Sequence, residues 1–599
     1  MAAAATPGDR KKKLRVFFLP FFARGHLIPQ TDLACRLAAA RPSDVESTIV
    51  VTPANALLIE PTVSRATASG HAVHILPYPF PDVGLGPGIE CLSAAPARDE
   101  WRVYRAADLA QPAHEALLRA HRPDAVVADV PFWWTTDVAV ELGIPRLTFH
   151  PVGAFPQLAM NNLFAVRADI VARGGREADR RQLRVAVPGM PGGKEKEVAI
   201  PASELPDFLV RDDHLSALWG RLKAAQLAGF GVVVNTFADL ERAYCDEYRR
   251  VDARRAYFVG PISQPSLSAV RRGGDGDADC LGWLSTQPSR SVVYVCFGSW
   301  AHFSAAQMTE LALGLEASNQ PFLWVVRSSD AGVPDEAWER RVAGRGVVVR
   351  GWAPQLAVLA HPSVGAFLTH CGWNSVLEAA SADVPVLTWP LVFEQFINER
   401  LVTEVAAFGA RVWDDGAGVR SVRREEADTV PAEAVARAVA GFMERGGRRE
   451  KAEVKVKELA ERARAAVAEN GYITFSIAGL SPSPLFKAGL IPSATSAPSP
   501  LPDLAAIGSS TCSPRTCPAL HATPPAVSPP CGLASAADIS SALRRACPAA
   551  ALRSMRPRPP SCHFAASLAP SAFGSIRSKA TSPGPVPTAV ASSVESPHP

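Results

Sequence analysis

The stretch Gly365-Ala366-Phe367-Leu368-Thr369-His370-Cys371-Gly372-Trp373-Asn374-Ser375-Val376-Leu377-Glu378-Ala379-Ala380 passes from an apolar, β-prone run through a polar knot into helix-forming residues. This is the grammar of a parallel strand running into a helix. A helix opening near Gly372 points its free N–H groups and the positive end of its dipole out of the sheet edge, which makes an anion site. His370, Asn374 and Glu378 are spaced by four, roughly along one face. The first two can then reach phosphate oxygens while the Glu accepts from a ribose hydroxyl. Taken one at a time, Asn374 or Ser375 reads as an N-cap and His370 as a structural histidine. The density of polar groups at one junction favours a ligand.

Outward from this point, residues 14–470 alternate short β-rich runs with longer Ala/Leu/Glu/Arg stretches, the rhythm of βαβ units. The first set of expected strands is Leu14–Phe22, Ser47–Thr52, Ala72–Leu76, Ala125–Asp129, Arg146–His150 and Val232–Phe237. The second is Ser291–Phe297, Phe322–Arg327, Gly346–Val349, Gly365–Thr369 and Val384–Trp389. Between them, Val259-Gly260-Pro261 opens a Gly/Asp/Ser/Pro-rich stretch of linker composition. The expected organisation is a flexible start over 1–13, one α/β half over 14–258, a linker over 259–284, a second half over 285–470 and a tail over 471–599. Two such halves enclose a cleft, and ligands of open parallel sheets sit at the carboxyl ends of the strands.

The tail is different material. It holds 22 of the 53 prolines and five of the eleven cysteines and shows no sustained period, so it reads as disordered. It also carries nine Lys and Arg against three Asp and Glu. The overall charge of +4 therefore leaves the first 470 residues at −2. A folded body this near neutrality is not that of a nucleic-acid binder. No apolar run is long enough to span a bilayer, the Ala-rich then basic start lacks a secretory apolar core, and the scattered cysteines form no CxxC pair. The expectation is a cytoplasmic monomer with reduced thiols.

A second constellation lies near the start. Leu14–Phe22 ends in Ala23-Arg24-Gly25-His26-Leu27-Ile28-Pro29 before a helical stretch to about Ala40. His26 is expected in the loop at the strand tip, with Pro29 near the first turn of the helix. Asp129 ends the apolar run from Asp124, where a buried carboxylate needs a partner. Bonded to one imidazole nitrogen, it fixes the tautomer while the other nitrogen takes a proton. Asp137 is the alternative partner. Other signals carry less. Asp275-Gly276-Asp277-Ala278-Asp279 has the look of a calcium loop, but Cys280 and Thr286 stand where Gly and Glu are needed. Gly84-Leu85-Gly86-Pro87-Gly88 follows no strand and reads as a turn.

Trp352-Ala353-Pro354-Gln355, His361, Gly365, Thr369 to Ser375, Glu378, Val384-Pro385, Trp389-Pro390, Glu394-Gln395 and Asn398 together resemble the donor-binding signature of plant secondary-product UDP-glycosyltransferases. The resemblance runs from about Leu14 to Asn470 and implies the two-domain GT-B fold, α/β with two Rossmann-like domains. It implies that Trp352 stacks on uracil, Ala353 presents its backbone to the base, Gln355 contacts the ribose region and Glu378 takes the ribose hydroxyls. His370, Asn374 and Ser375 would hold the diphosphate with Ser299 and the Gly372 helix start. Trp373, Glu394 and Gln395 would meet the sugar, and Gln395 favours UDP-glucose as donor. His26 matches the family's GHxxP element and implies a His26–Asp129 catalytic dyad. One departure is Asp383, where similar sequences have a Gly that would supply a left-handed C-cap.

The implied reaction is a single inverting displacement of UDP from UDP-glucose by an acceptor hydroxyl, with neutral donors and no cofactor or metal. Phe22, Phe132, Trp133, Trp134, His150 and Phe155 are expected near the strand tips, where they suit a flat phenolic, flavonoid or terpenoid acceptor and equally suit a core. Two rivals stand beside this reading. One is a UDP-sugar-binding homologue without turnover, because the tail replaces a helix that similar chains send back to the first half. The other is a nucleotide-sugar epimerase or hydrolase on the same fold.

Overall fold

Leu14–Leu19 (β1) pairs in parallel with Val45–Val51 (β2) on one side and Ala125–Asp129 (β4) on the other. The computed structural model describes residues 13–468 apart from 175–176, 193–197, 254, 264–275, 328–329 and 415–416, all within one compact unit of the chain. Val73–Pro77 (β3), Arg146–His150 (β5), Gly231–Val234 (β8) and Ala256–Phe258 (β9) complete a seven-stranded sheet in the order β3-β2-β1-β4-β5-β8-β9. Arg184–Ala186 (β6) and Ala199–Pro201 (β7) form a separate antiparallel pair.

The second sheet repeats the plan. Val292–Cys296 (β10), Phe322–Val326 (β11), Gly346–Arg350 (β12), Val364–Thr369 (β13), Val386–Thr388 (β14) and Gly409–Arg411 (β15) run in the order β12-β11-β10-β13-β14-β15, all parallel. These are the two Rossmann-like halves of a GT-B arrangement. Helices cover both faces, so the central strands are continuous Val/Phe/Leu runs; every residue of β4 and of β13 is buried. In each sheet the strand order reverses beside the first strand, at β1/β4 and β10/β13. That reversal leaves a crevice at the carboxyl edge.

Most strand ends fall within a few residues of expectation. β8 stops at Val234 because the chain turns at Asn235, with the Thr236 N–H on the Val234 carbonyl at 2.9 Å. The three-residue strands β6, β7, β9 and β15 are too short for a period of two to show, whereas β14, equally short, lies inside the longer apolar run Val384–Trp389. The linker expected over 259–284 ends differently: Gly276–Ser285 is helical, with Cys280 and Leu284 buried in the core. The calcium-like motif runs into this helix, and its Asp275 lies outside the described residues. So does the whole stretch 471–599, together with the question of a returning terminal helix. The last described helix, Arg448–Val467, packs Val456, Leu459 and Ala463 into the larger core.

Asp383 does take the left-handed conformation that a glycine would fill, with φ at +61°. Arg290 offsets part of the strain by donating to its carbonyl at 2.5 Å and to its carboxylate at 2.6 Å. The residue therefore keeps the turn between the Trp373–Ser381 helix and β14.

Candidate active site

β1 and β4 are neighbours, with Leu19 opposite Ala128, so the residues after β1 meet the tip of β4. There, Nδ1 of His26 stands 3.1 Å from Oδ1 and 3.0 Å from Oδ2 of Asp129. Asp129 is fully buried and also accepts the N–H groups of Phe21 at 3.2 Å and Val130 at 2.8 Å. A buried acceptor-only carboxylate on Nδ1 requires the proton there, which leaves the Nε2 lone pair available. Burial opposes charge on His26, but the Asp129 carboxylate and its hydrogen bond outweigh this and raise its pKa above 6.5. Asp137 lies exposed in the helix Thr135–Leu142 and is not the partner.

One detail corrects the sequence reading. The helix begins at Arg24 and runs to Ala40, so His26 is in its first turn rather than in a loop, and Pro29 is inside it. Pro29 has no N–H to give the Gly25 carbonyl four residues back. That carbonyl instead accepts from Nδ2 of Asn374 at 2.9 Å, which is why a proline is tolerated there.

Across the crevice, β13 ends at Thr369 and the chain reverses at Cys371, a buried residue at φ +62° whose carbonyl accepts from Asn398 at 2.9 Å. The helix Trp373–Ser381 follows with Gly372 at its N-cap and no side-chain cap, so Asn374 and Ser375 are not caps. His370 fits between two glycines. A Cβ on Gly298 would come within 2.5 Å of its Nε2, and one on Gly372 within 2.4 Å. Burial, helped by the nearby Arg327 charge, lowers the His370 pKa to about 4, so near neutrality it is an uncharged donor. Ser299 follows β10 on the same rim.

Gln355 organises the region deeper in. Its amide donates to Ser375 Oγ at 3.1 Å and to Glu378 at 2.6 Å, and its carbonyl accepts from the Tyr294 hydroxyl at 3.2 Å. Trp352 is 44% exposed, with the Arg24 guanidinium 4.7 Å above its ring, while Ala353 beside it is buried. Trp373 is buried and donates its indole N–H to the Asn235 carbonyl at 2.6 Å. The side-chain carbonyl of Gln395 accepts from Leu391 and Val392, which turns its NH2 group away from that loop. Burial holds the Glu394 carboxyl above the usual range, against the opposing pull of His26 and Asn398.

A single cavity of about 1320 Å³ is lined by His26 from the first half and by Ser299, Trp352, Ala353, Gln355, His370, Gly372, Trp373, Asn374, Ser375, Glu378, Glu394 and Gln395 from the second. Asp129 stands behind His26, outside the lining. The aromatic set expected at the acceptor end is mostly core. Phe22, Phe132, Trp134 and Phe155 are buried, and only His150 of the six faces the cavity. The rings of Phe22, Phe132 and Trp134 pack on one another and on His114 instead, and that of Phe155 packs on Tyr244. The apolar wall comes from Phe21, Trp101, Tyr104, Met160 and Trp219, together with Phe393. Apart from Phe21 in the opening run, these residues were not marked in the sequence: Trp101 and Tyr104 share one turn of the helix Glu100–Leu109, but Met160, Trp219 and Phe393 lie on separate elements, so no single period runs through the set. Asn235 and Glu241 were equally unmarked; Glu241 accepts the N–H groups of Ala154 and Phe155, where the helix after β5 begins.

Residues 277–415 match the family model described as UDP-glucoronosyl and UDP-glucosyl transferase. The chain is 37% identical over 475 residues to UDP-glucose flavonoid 3-O-glucosyltransferase 7 of Fragaria ananassa, covering 77% of this chain and 94% of that one. It is 37% identical over 477 residues to scopoletin glucosyltransferase of Nicotiana tabacum, covering 77% and 95%. Among solved structures, Glycyrrhiza uralensis UGT73P12 complexed with glycyrrhetinic acid 3-O-monoglucuronide aligns with TM-score 0.68 and 32% identity, over 78% of this chain and 95% of that one. Medicago truncatula UGT71G1 complexed with UDP-glucose aligns with TM-score 0.64 and 26% identity, over 78% and 97%.

Proposed function

Because the chain belongs to the UDP-glucuronosyl and UDP-glucosyl transferase family, as a glucosyltransferase acting on small plant metabolites, we propose that His26 and the Gly372 helix start carry out an inverting transfer from UDP-glucose to an acceptor hydroxyl. The observation that carries this reading is the opposition of two unlike imidazoles on one cavity. His26 is made basic by Asp129, and His370 is kept neutral by burial.

The division of labour follows from that chemistry. Nε2 of His26 takes the proton of the acceptor hydroxyl as its oxygen attacks the anomeric carbon, and Asp129 stabilises the imidazolium formed. The bond from that carbon to the diphosphate breaks on the opposite face. The departing charge is met by His370, Ser375, Ser299 and the N–H groups at the helix start. Glu378, oriented by Gln355, takes the ribose hydroxyls, Trp352 and Ala353 hold the base, and Trp373, Glu394 and Gln395 face the sugar.

The apolar wall of Trp101, Tyr104 and Trp219 supports a flat phenolic, flavonoid or terpenoid acceptor, in keeping with relatives named for a flavonoid, for scopoletin and for nuatigenin. Both sides of the cavity come from one chain, which supports a monomeric working unit. Among the described residues no helix is long and apolar enough to cross a membrane. Buried Cys91 and Cys245 are free thiols, which supports a cytosolic setting. The test is UDP release from UDP-glucose in the presence of a panel of plant phenolics. Acceptor-dependent release in the wild type and none in His26→Ala supports the reading; release without acceptor points to a hydrolase.

A further inference from the structure

Asn235 touches neither the catalytic dyad nor the signature's expected ligands to base and ribose, yet it joins the two halves of the site. It lies just past β8 and is 2% exposed. Its Nδ2 donates to Oδ1 of Asn374 at 3.0 Å, its Oδ1 accepts the Ile262 N–H at 3.2 Å, and its backbone carbonyl takes the Trp373 indole N–H at 2.6 Å. Asn374 passes the connection on through Nδ2 to the carbonyl of Gly25, the residue before His26. Pro29 leaves that carbonyl free of its helical partner.

We propose that Asn235 is a positioning residue for glycosyl transfer, locking the donor-side turn at Trp373-Asn374 to the helix start that carries His26. It rests on the reading under Proposed function. With Asn235 in place, the amide of Asn374 has one orientation, carbonyl toward Asn235 and NH2 toward Gly25, and its second N–H is left for the diphosphate. The chain of bonds therefore fixes the separation between the base and the anomeric carbon, a distance to which the transfer rate is steeply sensitive.

The test uses the full chain with Asn235→Ala and Asn235→Asp. Asp keeps the acceptor for Ile262 but turns an oxygen toward Oδ1 of Asn374, which drives that amide to flip and drop Gly25. Neither variant removes the backbone bond to Trp373. Measured against wild type, kcat is expected to fall about tenfold or more in both, while the Kd for UDP by calorimetry moves less than about threefold. Pro29→Ala, which supplies a competing N–H to Gly25, is expected to lower kcat several-fold in the same sense. Both Asn235 variants within about twofold of the wild-type kcat overturn the proposal. So does a fall in kcat matched by equal losses of UDP affinity and melting temperature, since that is what a purely structural residue gives. If wild type itself neither binds UDP nor releases it from UDP-glucose, the glycosyltransfer reading fails and takes the inference with it.

Discussion

Asp129 presents both carboxylate oxygens to one nitrogen of His26, at 3.1 and 3.0 Å, from the tip of the strand adjacent to the one that leads into the His26 helix. Two neighbouring parallel strands thus deliver a base and its orienting acid with no long loop between them, and several consequences can be measured.

His26→Ala is expected to abolish acceptor-dependent turnover, and Asp129→Asn to lower kcat by roughly 10²–10⁴ with the fold retained. A loss smaller than tenfold in Asp129→Asn, measured by steady-state kinetics, would contradict the dyad.

The pH dependence follows from the direction of the His26 shift. The base works unprotonated, so kcat/KM rises with pH through a midpoint above 6.5, and Asp129→Asn moves that midpoint down. The ion pair's contribution to stability has the opposite course. It is complete below 6.5 and is lost as pH climbs through the raised folded pKa. His370, near 4, adds no step to the rate profile between pH 5 and 8. An acid limb centred near 4 would assign the profile to the wrong histidine.

Space around His370 is the next control. Gly298→Ala adds a Cβ 2.5 Å from its Nε2 at a backbone φ of +72°, and Gly372→Ala adds one at 2.4 Å. Either should displace the imidazole and weaken UDP binding by about tenfold or more, read by calorimetry. Unchanged affinity in both would remove His370 from the diphosphate site.

Glu378→Ala is expected to raise the KM for UDP-glucose by about tenfold or more with a smaller change in kcat, because ribose contacts are alike in ground and transition states. Gln355→Ala should do the same more weakly, since Glu378 then loses the 2.6 Å bond that orients it. A kcat effect without a KM effect would place both residues elsewhere in the reaction.

At Asp383 two terms oppose each other. Asp383→Gly relieves the φ of +61° but discards the Arg290 pair, so stability should change by less than about 1 kcal/mol. Asp383→Ala keeps the strain and loses the pair, and should destabilise by about 1–2 kcal/mol. Denaturant melts that rank Ala above Gly at this position would refute the left-handed assignment.

Much of this was written locally. The βαβ rhythm, the strand tip at Asp129, the helix opening at Gly372 and the four-residue spacing of His370, Asn374 and Glu378 are short-range patterns, and the chain realises them because local propensity and burial agree. What the local pattern could not carry was which surface each side chain meets. Phe132 and Trp134 sit beside a strand tip yet turn into the core, whereas Trp101 and Trp219, far apart in sequence, share the cavity wall. The start of the His26 helix at Arg24 was hidden for the same reason: Pro29 is tolerable there only because a side chain from the other half, Asn374, satisfies the Gly25 carbonyl. Alone, the amino-acid order determined two parallel sheets and the residues at their tips. Three-dimensional packing decided how the tips face each other, because hydrogen bonds such as Asn235 to Asn374 join residues 139 positions apart and leave no periodic trace along the chain.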